Sequence, residues 1–343
     1  MKAIAIAKAG GYDRLRLVDQ PDLSPAAGQV LVTTRAVGVN FADVVVRLGL
    51  YESAKKYVGW PITPGFEFSG EVQALGEGVR DLNVGERVLG VTRFGGYASQ
   101  VCVPRAQLFR VPAALSHAQA ATFPTVFLTA YYALREAIRT RPGGKVLVHA
   151  GAGGVGLAAL QLARADGLSP IAIVGATHKC QVALDYGAAH AIDKSTQDLW
   201  AEVAPIAPDG VEVVLESNGA ETLKQSYAHL RPTGRLIVYG FTGMLSRGSA
   251  RPNWLKLAWD YLRLPSFHPL QMVDANKGVI AFNLSYMFEQ ESLLTEAMTR
   301  MLSEVQAGIL RPLPVTEFAL GDAAGAHRAL QSGTTVGKLA LIP

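Results

Sequence analysis

Cysteine and charge are both scarce in this chain. Its two cysteines, Cys102 and Cys180, lie in no Cys-x-x-Cys or Cys/His spacing, which excludes a disulfide framework and a structural zinc lobe. Charged residues make up 17% of the 343 residues, below the roughly 25% usual in soluble domains. Hydrophobic residues make up 49%, which excludes a disordered chain. The length predicts about two domains, and the apolar residues are expected to be buried inside them or at a subunit interface.

Long runs of basic or of apolar residues are also missing. Lys and Arg outnumber Asp and Glu by 32 to 28 but never form a block of five, so no nucleic-acid partner is predicted. The apolar stretch 146–163 has glycines at its centre, which favours a strand, a turn and a helix over a membrane span. Because the first residues lack the long apolar core of a secretory signal, we predict a cytoplasmic protein.

Two kinds of pattern follow one another along the chain. β-Branched runs separated by glycine and proline predict a β-rich first domain, with strands at Val30–Val39, Glu67–Leu75, Glu86–Val91 and Tyr97–Val103. From about residue 125, helical patterns alternate with apolar runs, which predicts βαβ units around a parallel sheet. The later elements include a helix at Val126–Ile138, a strand at Gly278–Leu284 and a helix at Ser292–Gly308.

A glycine-rich turn carries the strongest functional signal. Gly151, Gly153 and Gly156 form a GxGxxG motif directly after the apolar run KVLVHA and directly before a helical pattern. Glycine there permits a tight turn and close approach of the backbone to a pyrophosphate, which the helix N-terminus attracts. The motif predicts dinucleotide binding by this turn, which Gly154 and Val155 complete.

The end of the next strand indicates which dinucleotide binds. NAD-binding domains place an acidic residue there to bind the adenine ribose, but this chain has Gly175. Lys179 follows before any acid, and Lys194 is a second candidate contact, so the sequence favours NADP(H). The alternative for Lys179 is an ordinary exposed residue in the first turn of a helix.

Three motifs resemble the medium-chain dehydrogenase/reductase superfamily, and within it the zinc-independent, zeta-crystallin-like quinone oxidoreductases. They are VGVNFADVVVRLGLY (37–51), PGFEFSGEVQALGEGVRDLNVGERV (64–88) and KVLVHAGAGGVGLAALQLAR (145–164). The last departs from the family pattern at Gly144 and Gly151. Residues 239–259 and 277–288 resemble the vesicle amine transport protein homologues of that branch.

The resemblance implies an α/β fold of two domains with the active site in a cleft between them. A GroES-like catalytic domain is expected over 1–123 and 286–343, and a Rossmann domain with a doubly wound parallel sheet over 124–285. Asn40, Phe66 and Thr125 stand where zinc-dependent relatives carry Cys, His and Cys, so no zinc is expected and Glu67 is interpreted as structural.

The resemblance also implies a set of site residues. Asn40, Asp43 and Tyr51 match the family's NxxDxxxxxGxY pattern, in which the Tyr is a proposed proton donor. Tyr51 is alternatively a loop aromatic that gates the cleft. The implied cofactor contacts outside the glycine turn are Thr129, Gly240, Phe241 and Lys338. Alternatively, Thr129, Gly240 and Phe241 only pack against neighbouring residues, and Lys338 is an exposed residue.

These residues predict hydride transfer from NADPH to a quinone or to an α,β-unsaturated carbonyl, because without a metal the acceptor must already be polarised. The alternative is an NADPH-binding protein with little turnover that recruits a lipid or protein partner. The apolar segment Trp254–Leu264 fits a cap over the substrate, a dimer interface or a membrane contact. A homodimer joined through the run Gly278–Leu284 is expected, since relatives usually pair their last Rossmann strands.

Overall fold

Fifteen strands and twelve α-helices make up the computed structural model, which describes residues 1–343. The strands are β1 (Lys2–Ala5), β2 (Arg16–Asp19), β3 (Gln29–Val39), β4 (Glu67–Leu75), β5 (Arg87–Val91), β6 (Gln100–Pro104), β7 (Leu108–Arg110), β8 (Lys145–Val148), β9 (Ser169–Val174), β10 (His190–Asp193), β11 (Val211–Glu216), β12 (Leu230–Val238), β13 (Gly278–Ala281), β14 (Val315–Ala319) and β15 (Lys338–Ile342). The helices are α1 (Phe41–Arg47), α2 (Glu52–Tyr57), α3 (His117–Ala121), α4 (Pro124–Tyr131), α5 (Gly154–Ala165), α6 (His178–Asp185), α7 (Leu199–Ile206), α8 (Leu223–Ala228), α9 (Trp254–Leu262), α10 (Pro269–Ala275), α11 (Glu291–Gln306) and α12 (Ala323–Ser332). None of these helices combines the length and the apolar character that crossing a bilayer requires.

The chain divides into two units. Unit 1 comprises Met1–Leu128, Arg247–Arg251 and Leu284–Pro343, and unit 2 comprises Thr129–Ser246 and Pro252–Asn283. The sequence predicts boundaries after residues 123 and 285 and keeps 247–251 in the second domain. The structure divides the chain after residues 128 and 283 and assigns 247–251 to unit 1.

Hydrogen bonds explain why the short segment 247–251 belongs to unit 1. The buried Arg47 of α1 donates from Nη1 to the Ala250 carbonyl over 2.9 Å. Gln331 of α12 donates from Nε2 to the Ser249 carbonyl over 3.1 Å. Both partners lie far away along the chain, so no local pattern could have indicated the assignment.

Unit 1 is built on a seven-stranded sheet. Its order is β14-β15-β3-β4-β5-β7, and β6 pairs with β3. All of these strands run antiparallel to their neighbours except β14 and β15, which are parallel. The core on this sheet includes Val32, Val37, Phe68, Val88 and Leu339. The predicted β-rich, GroES-like domain is confirmed.

Unit 2 is built on a six-stranded sheet in the order β10-β9-β8-β11-β12-β13, with every pair parallel. All six residues of β11 are buried, as expected for a parallel strand covered on both faces. Strand order reverses beside β8, and ligands bind at the carboxyl ends of strands at such a reversal. The predicted Rossmann architecture is confirmed, and its glycine-rich turn follows β8.

Two predicted elements are shorter than expected. The run Gly278–Leu284 forms strand only to Ala281, and Leu284 lies in a 3-10 turn. The helix expected over Val126–Ile138 keeps α geometry only to Tyr131 and then widens into π-type turns. An apolar period reports the buried face of a segment and not the place where its backbone hydrogen bonding changes.

Candidate active site

Three strand ends meet on one side of unit 1. β3 ends at Val39, β4 begins at Glu67 and β15 begins at Lys338. Because β3 is antiparallel to both of the other strands, its end lies beside their beginnings. Asn40, the residue that follows β3, therefore lies against Glu67 and Lys338.

The side chains at these strand ends form a buried polar cluster. Lys338 Nζ donates to the Val39 carbonyl (2.8 Å), to Asn40 Oδ1 (2.7 Å) and to Glu67 Oε1 (2.8 Å). Asn40 Nδ2 donates to the same Glu67 oxygen over 2.8 Å. Lys338 is only 4% exposed, and these bonds use all three of its N–H donors. This burial corrects the alternative of an exposed Lys338, and the contact of Lys338 with the cofactor phosphate stays a prediction.

The positions that hold zinc ligands in zinc-dependent relatives are bound differently here. Glu67 Oε2 accepts from the Thr125 backbone N–H over 2.7 Å, while Glu67 Oε1 binds Asn40 and Lys338. The third position, Phe66, is buried in the apolar core. Nowhere in the chain do three or more His, Cys, Asp or Glu side chains form a group suited to a metal. The donor set at this site does not fit zinc.

Asp43 lies in the first turn of α1 and is fully buried. Its Oδ2 accepts from the Asn40 backbone N–H and its Oδ1 from the Gly65 backbone N–H, each over 2.8 Å. Burial raises the pKa of Asp43 to about 7, against these hydrogen bonds and the charge of Lys338, which lower it. Asp43 therefore holds the backbone of Asn40 in place from within the core.

Tyr51 precedes α2 and lines a cavity inside unit 1. Its ring makes edge contacts with Phe66 (centroids 5.7 Å apart) and Phe94 (6.4 Å). The cavity offers about 40 Å³ to the centre of a water-sized molecule and is lined by Ala42, Tyr51, Phe66, Val91, Thr125, Leu128, Leu284, Ser285, Phe288 and Leu294. Tyr51, Thr125 and Ser285 are its only polar lining residues. The sequence predicted Tyr51 but not the wall at 284–294, which comes from the other end of the chain.

The glycine-rich turn has the geometry that the sequence predicted. Gly151 donates its N–H to the Ile173 carbonyl over 2.9 Å, and Gly153 precedes α5 in extended conformation. A Cβ on Gly156 would lie 2.3 Å from the Ala150 oxygen, so no larger residue fits. Gly154 and Val155 form the first turn of α5, whose free N–H groups suit an anion. The turn therefore fits a dinucleotide pyrophosphate.

The end of β9 is open where the second ribose is expected. A Cβ added to Gly175 would have nothing within 4 Å. Lys179 lies in the first turn of α6 and is only 8% exposed, which does not match the alternative of an ordinary solvated residue. Lys194 follows β10, and its backbone N–H donates to the Val174 carbonyl over 3.0 Å. Both lysines thus belong to the segments that adjoin the end of β9.

Asp193 is a carboxylate near this end that the sequence did not single out. Its Oδ2 accepts from Thr177 Oγ1 over 2.7 Å, and its Oδ1 accepts from the Ser195 hydroxyl (2.6 Å) and backbone N–H (2.9 Å). The hydroxyls of Ser195 and Thr177 lower the pKa of Asp193. With both oxygens engaged, Asp193 ties the loop after β9 to the loop after β10.

The remaining predicted cofactor contacts occupy three different settings. Thr129 is buried within α4. Gly240 follows β12, and a Cβ there would make ordinary contacts with Ser217, so its lack of a side chain is not required by packing. Phe241 is 47% exposed, which argues against a pure packing role.

A second buried network, which the sequence did not predict, lies next to the glycine-rich turn. His149 is the next-to-last residue of the run KVLVHA, and its Nε2 lies 2.9 Å from Ser226 Oγ and 3.4 Å from Glu216 Oε2. Ser226 in turn donates to Glu216 over 2.9 Å. Burial lowers the pKa of His149. The only local signal was a histidine two residues before the first glycine of the turn.

Family comparisons agree with this architecture. Residues 26–113 match the alcohol dehydrogenase GroES-like domain, and residues 154–258 match the domain described as zinc-binding dehydrogenase. The chain is 34% identical to the synaptic vesicle membrane protein VAT-1 homolog of Rattus norvegicus over 345 residues, covering 100% of this chain and 84% of that protein. It is 32% identical to a 2-haloacrylate reductase of Burkholderia over 346 residues, covering 99% and 98%.

A solved structure matches along the full length. The Escherichia coli quinone oxidoreductase complexed with NADPH superposes with a TM-score of 0.86 at 30% identity, covering all of both chains. Together with the glycine-rich turn, the GroES-like sheet and the absence of a zinc donor set, these matches decide the family. The chain belongs to the zinc-independent quinone oxidoreductase branch of the medium-chain dehydrogenase/reductase superfamily, the branch that contains the VAT-1 homologues.

Proposed function

We propose that this protein is an NADPH-dependent reductase that reduces the conjugated carbonyl of an enone, alkenal or enoyl compound, or a quinone. The observation that carries the proposal is the apolar cavity of unit 1, which Tyr51 lines beside the cluster of Asn40, Glu67 and Lys338. The reductase relatives support the reaction class, and the chemistry of the cavity supports the substrate class.

Unit 2 provides a site that fits NADPH. The glycine-rich turn and the N-terminus of α5 receive the pyrophosphate, while the open space at Gly175, with Lys179 and Lys194, receives the adenosine 2′-phosphate. Asp193 is hydrogen-bonded through both oxygens to Thr177 and Ser195 of its own unit. When bound, NADPH supplies a hydride to the substrate.

The residues of unit 1 favour an acceptor that is already polarised. Asn40, Phe66 and Thr125 provide no metal ligand set that could polarise a simple ketone. Conjugated carbonyls and quinones accept a hydride at carbon or oxygen without such help. The apolar cavity selects such uncharged molecules, because transfer of a charged group into it is costly.

Tyr51 is the proposed proton donor. Addition of hydride leaves negative charge on the substrate, and a phenol in an apolar cavity can donate its proton to that atom and then recover one from water. Asn40 and Asp43 take positioning roles, since Asp43 binds the Asn40 backbone and Lys338 binds the Asn40 side chain. The alternative for Tyr51 is an aromatic wall with no part in proton transfer.

Consumption of NADPH with matched quinones and 2-alkenals, with products identified by mass spectrometry and NADH in parallel, tests the proposal. A saturated carbonyl product establishes ene reduction, whereas quinol without saturation establishes quinone reduction. Tyr51→Phe should lower kcat about a hundredfold or more if Tyr51 is the acid. Tyr57→Phe is the matched control, because Tyr57 lies outside the cavity. Tight NADPH binding without turnover on either class would refute the reductase function.

A second function, association with a partner, is favoured by one surface of unit 2. Seven large apolar side chains of α9 and α10 are between 61% and 85% exposed: Trp254, Leu255, Trp259, Tyr261, Leu262, Leu270 and Val273. Such a patch on a soluble domain usually marks an interaction site. α10 directly precedes β13, which is the unpaired edge of the six-stranded sheet.

We propose that a second copy covers this surface by pairing β13 with β13, which would satisfy the exposed edge. Light scattering should then give a dimer that Leu270→Lys with Val273→Lys converts to a monomer. A wild-type monomer would refute the dimer. Sedimentation with liposomes, lost on Trp254→Ala with Trp259→Ala, would instead show that α9 binds a membrane.

A further inference from the structure

Arg47, the last residue of α1, is a buried cation without an anionic partner. Its side chain is 0% exposed. Nη1 donates to the carbonyls of Gly10 (2.8 Å) and Ala250 (2.9 Å), and Nη2 donates to Gln331 Oε1 over 2.7 Å. Nε is buried and has no hydrogen-bond partner. Because each of these partners is neutral, the guanidinium keeps its full positive charge inside unit 1.

The surroundings of Arg47 make this charge costly. Burial lowers the pKa of Arg47 to about 10, against Tyr12 and Asp13, which raise it. The Asp13 carboxylate is 57% exposed and lies 3.5 Å from Arg14 Nε, so it pairs with a different arginine. Buried cations are ordinarily held against an anion, because an unpaired charge in the interior is destabilising. The hydrogen bonds of Arg47 provide no such anion.

Further arginines lie around Arg47. Arg328 of α12 lies over the ring of Tyr12, with Cζ 5.1 Å from the ring centroid, and Arg47 Cζ lies 4.5 Å from the same centroid. Arg14 packs against Gly10, where an added Cβ would lie 2.8 Å from Arg14 Cγ. The carbonyl of Gly10 is one of the groups that bind Arg47. Arg14 and Arg328 therefore both lie close to the buried charge.

The segment 247–251 adds two more arginines. Arg247 packs against Gly333, the residue after α12, where an added Cβ would lie 3.6 Å from Arg247 Nε. Arg251 follows Ala250, whose carbonyl accepts from Arg47. Both arginines are exposed. The hydrogen bond that docks this segment on unit 1 thus also brings two mobile cations to the surface beside Arg47.

The arginine cluster consists of Arg14, Arg47, Arg247, Arg251 and Arg328, and it has more positive charge than the chain neutralises. Its one ion pair within the chain joins Arg14 to Asp13. The members come from four stretches of sequence and meet around residues 10–12, in a compact group and not in the stripe that follows a nucleic-acid backbone. A small ligand with several negative charges fits such a group.

We propose that the arginine cluster binds a polyphosphate group, the diphosphate or triphosphate portion of a small molecule. Each guanidinium presents parallel N–H donors that match two oxygens of one phosphate. The exposed Arg247, Arg251 and Arg328 contact the ligand, and the ligand's charge offsets that of the buried Arg47. This site does not depend on the proposed reductase function, because the cluster shares no residue with the cavity at Tyr51.

Calorimetric titration with inorganic tripolyphosphate, inorganic pyrophosphate and ADP tests the site. NADPH is kept at a saturating concentration, so that the glycine-rich turn of unit 2 is occupied and does not bind these anions. We expect tripolyphosphate to bind to the wild type, and to bind more weakly at higher salt, because salt screens exposed charges. Tighter binding of ADP than of pyrophosphate would assign a nucleotide to the site, and equal binding would assign free phosphate chains. Absence of binding by all three anions would overturn the proposal.

Substitutions in the arginine cluster show whether the anions bind there. Arg251→Gln with Arg328→Gln should raise the Kd of tripolyphosphate about tenfold or more, the effect of losing one or two charged hydrogen bonds. Arg251→Lys with Arg328→Lys keeps both charges and should recover part of the affinity. Arg35→Gln is the matched control, because Arg35 is also exposed but pairs with Glu71 outside the cluster. An unchanged Kd in the double glutamine variant, or an equal loss in Arg35→Gln, would refute the site.

Discussion

Asp43 and His327 are buried titratable groups that respond to pH in opposite directions. Tyr97 joins them, because its hydroxyl lies 3.2 Å from His327 Nε2 and also hydrogen-bonds the Asp43 carboxyl. Burial raises the pKa of Asp43 from its ordinary 3.8 to about 7. Burial, with a smaller effect of the Arg47 charge, lowers the pKa of His327 from its ordinary 6.5 to about 3.

The sign of each contribution follows from which state binds the proton more tightly. The folded state favours protonated Asp43, so its stabilising effect is complete below about pH 4 and is lost as the pH rises to about 7, a change of ~4 kcal/mol. The unfolded state favours protonated His327, so stability is lost as the pH falls from about 6.5 toward 3, a change of ~5 kcal/mol. Between about pH 4 and 6.5 the two effects oppose each other.

Removing one group should therefore expose the other. Asp43→Asn removes the contribution of Asp43 and keeps that of His327. The free energy of unfolding of the wild type should therefore exceed that of the variant by a margin that grows by up to ~4 kcal/mol as the pH falls from 7 to 4. For His327→Gln, the free energy of unfolding of the wild type minus that of the variant should shrink over the same pH range. Urea unfolding at several pH values, followed by tryptophan fluorescence and circular dichroism, measures both differences. Parallel pH profiles for wild type and Asp43→Asn would refute the assignment of Asp43 as a buried group that protonates near neutrality.

Three further substitutions test the site. Lys338→Met should cost about 3–5 kcal/mol by leaving Glu67 buried and unpaired, and Lys338→Met with Glu67→Gln should recover part of this loss in urea unfolding; no recovery would argue against the ion pair. Gly156→Ala should abolish measurable NADPH binding by calorimetry, since its Cβ would lie 2.3 Å from the Ala150 oxygen; unchanged affinity would refute the tight turn. Lys179→Ala should raise the Kd of NADPH roughly tenfold but leave that of NADH unchanged, and equal effects on both would exclude a 2′-phosphate contact.

The sequence predicted those parts of the site that lie close together along the chain. Glycines at 151, 153 and 156 sit between a strand and a helix, and the turn they form depends only on neighbouring residues. Gly175 at the end of the next strand was equally visible, because strand and helix alternate regularly there. Tyr51 was found through its motif, and its place in the cavity wall agrees with a role at the site.

The sequence did not predict contacts between residues that lie far apart along the chain. Lys338 and Glu67 are separated by 271 positions, and only the antiparallel pairing of β3 with β4 and β15 brings them together. An exposed C-terminal lysine and a buried one look alike in sequence, because exposure depends on what packs against the strand. The far wall of the cavity at Tyr51 was missed for the same reason, since it comes from residues 284–294.

The amino-acid sequence by itself determined the two-domain architecture, the glycine-rich turn and the lack of a zinc donor set, because hydrophobic period, turn chemistry and ligand identity are local properties. Tertiary structure alone decided that Lys338 is held against Asn40 and Glu67, that Asp43 lies in the core, and that Leu284, Ser285, Phe288 and Leu294 line the cavity at Tyr51. Burial and long-range pairing set these features, and both depend on which distant segments the fold brings into contact.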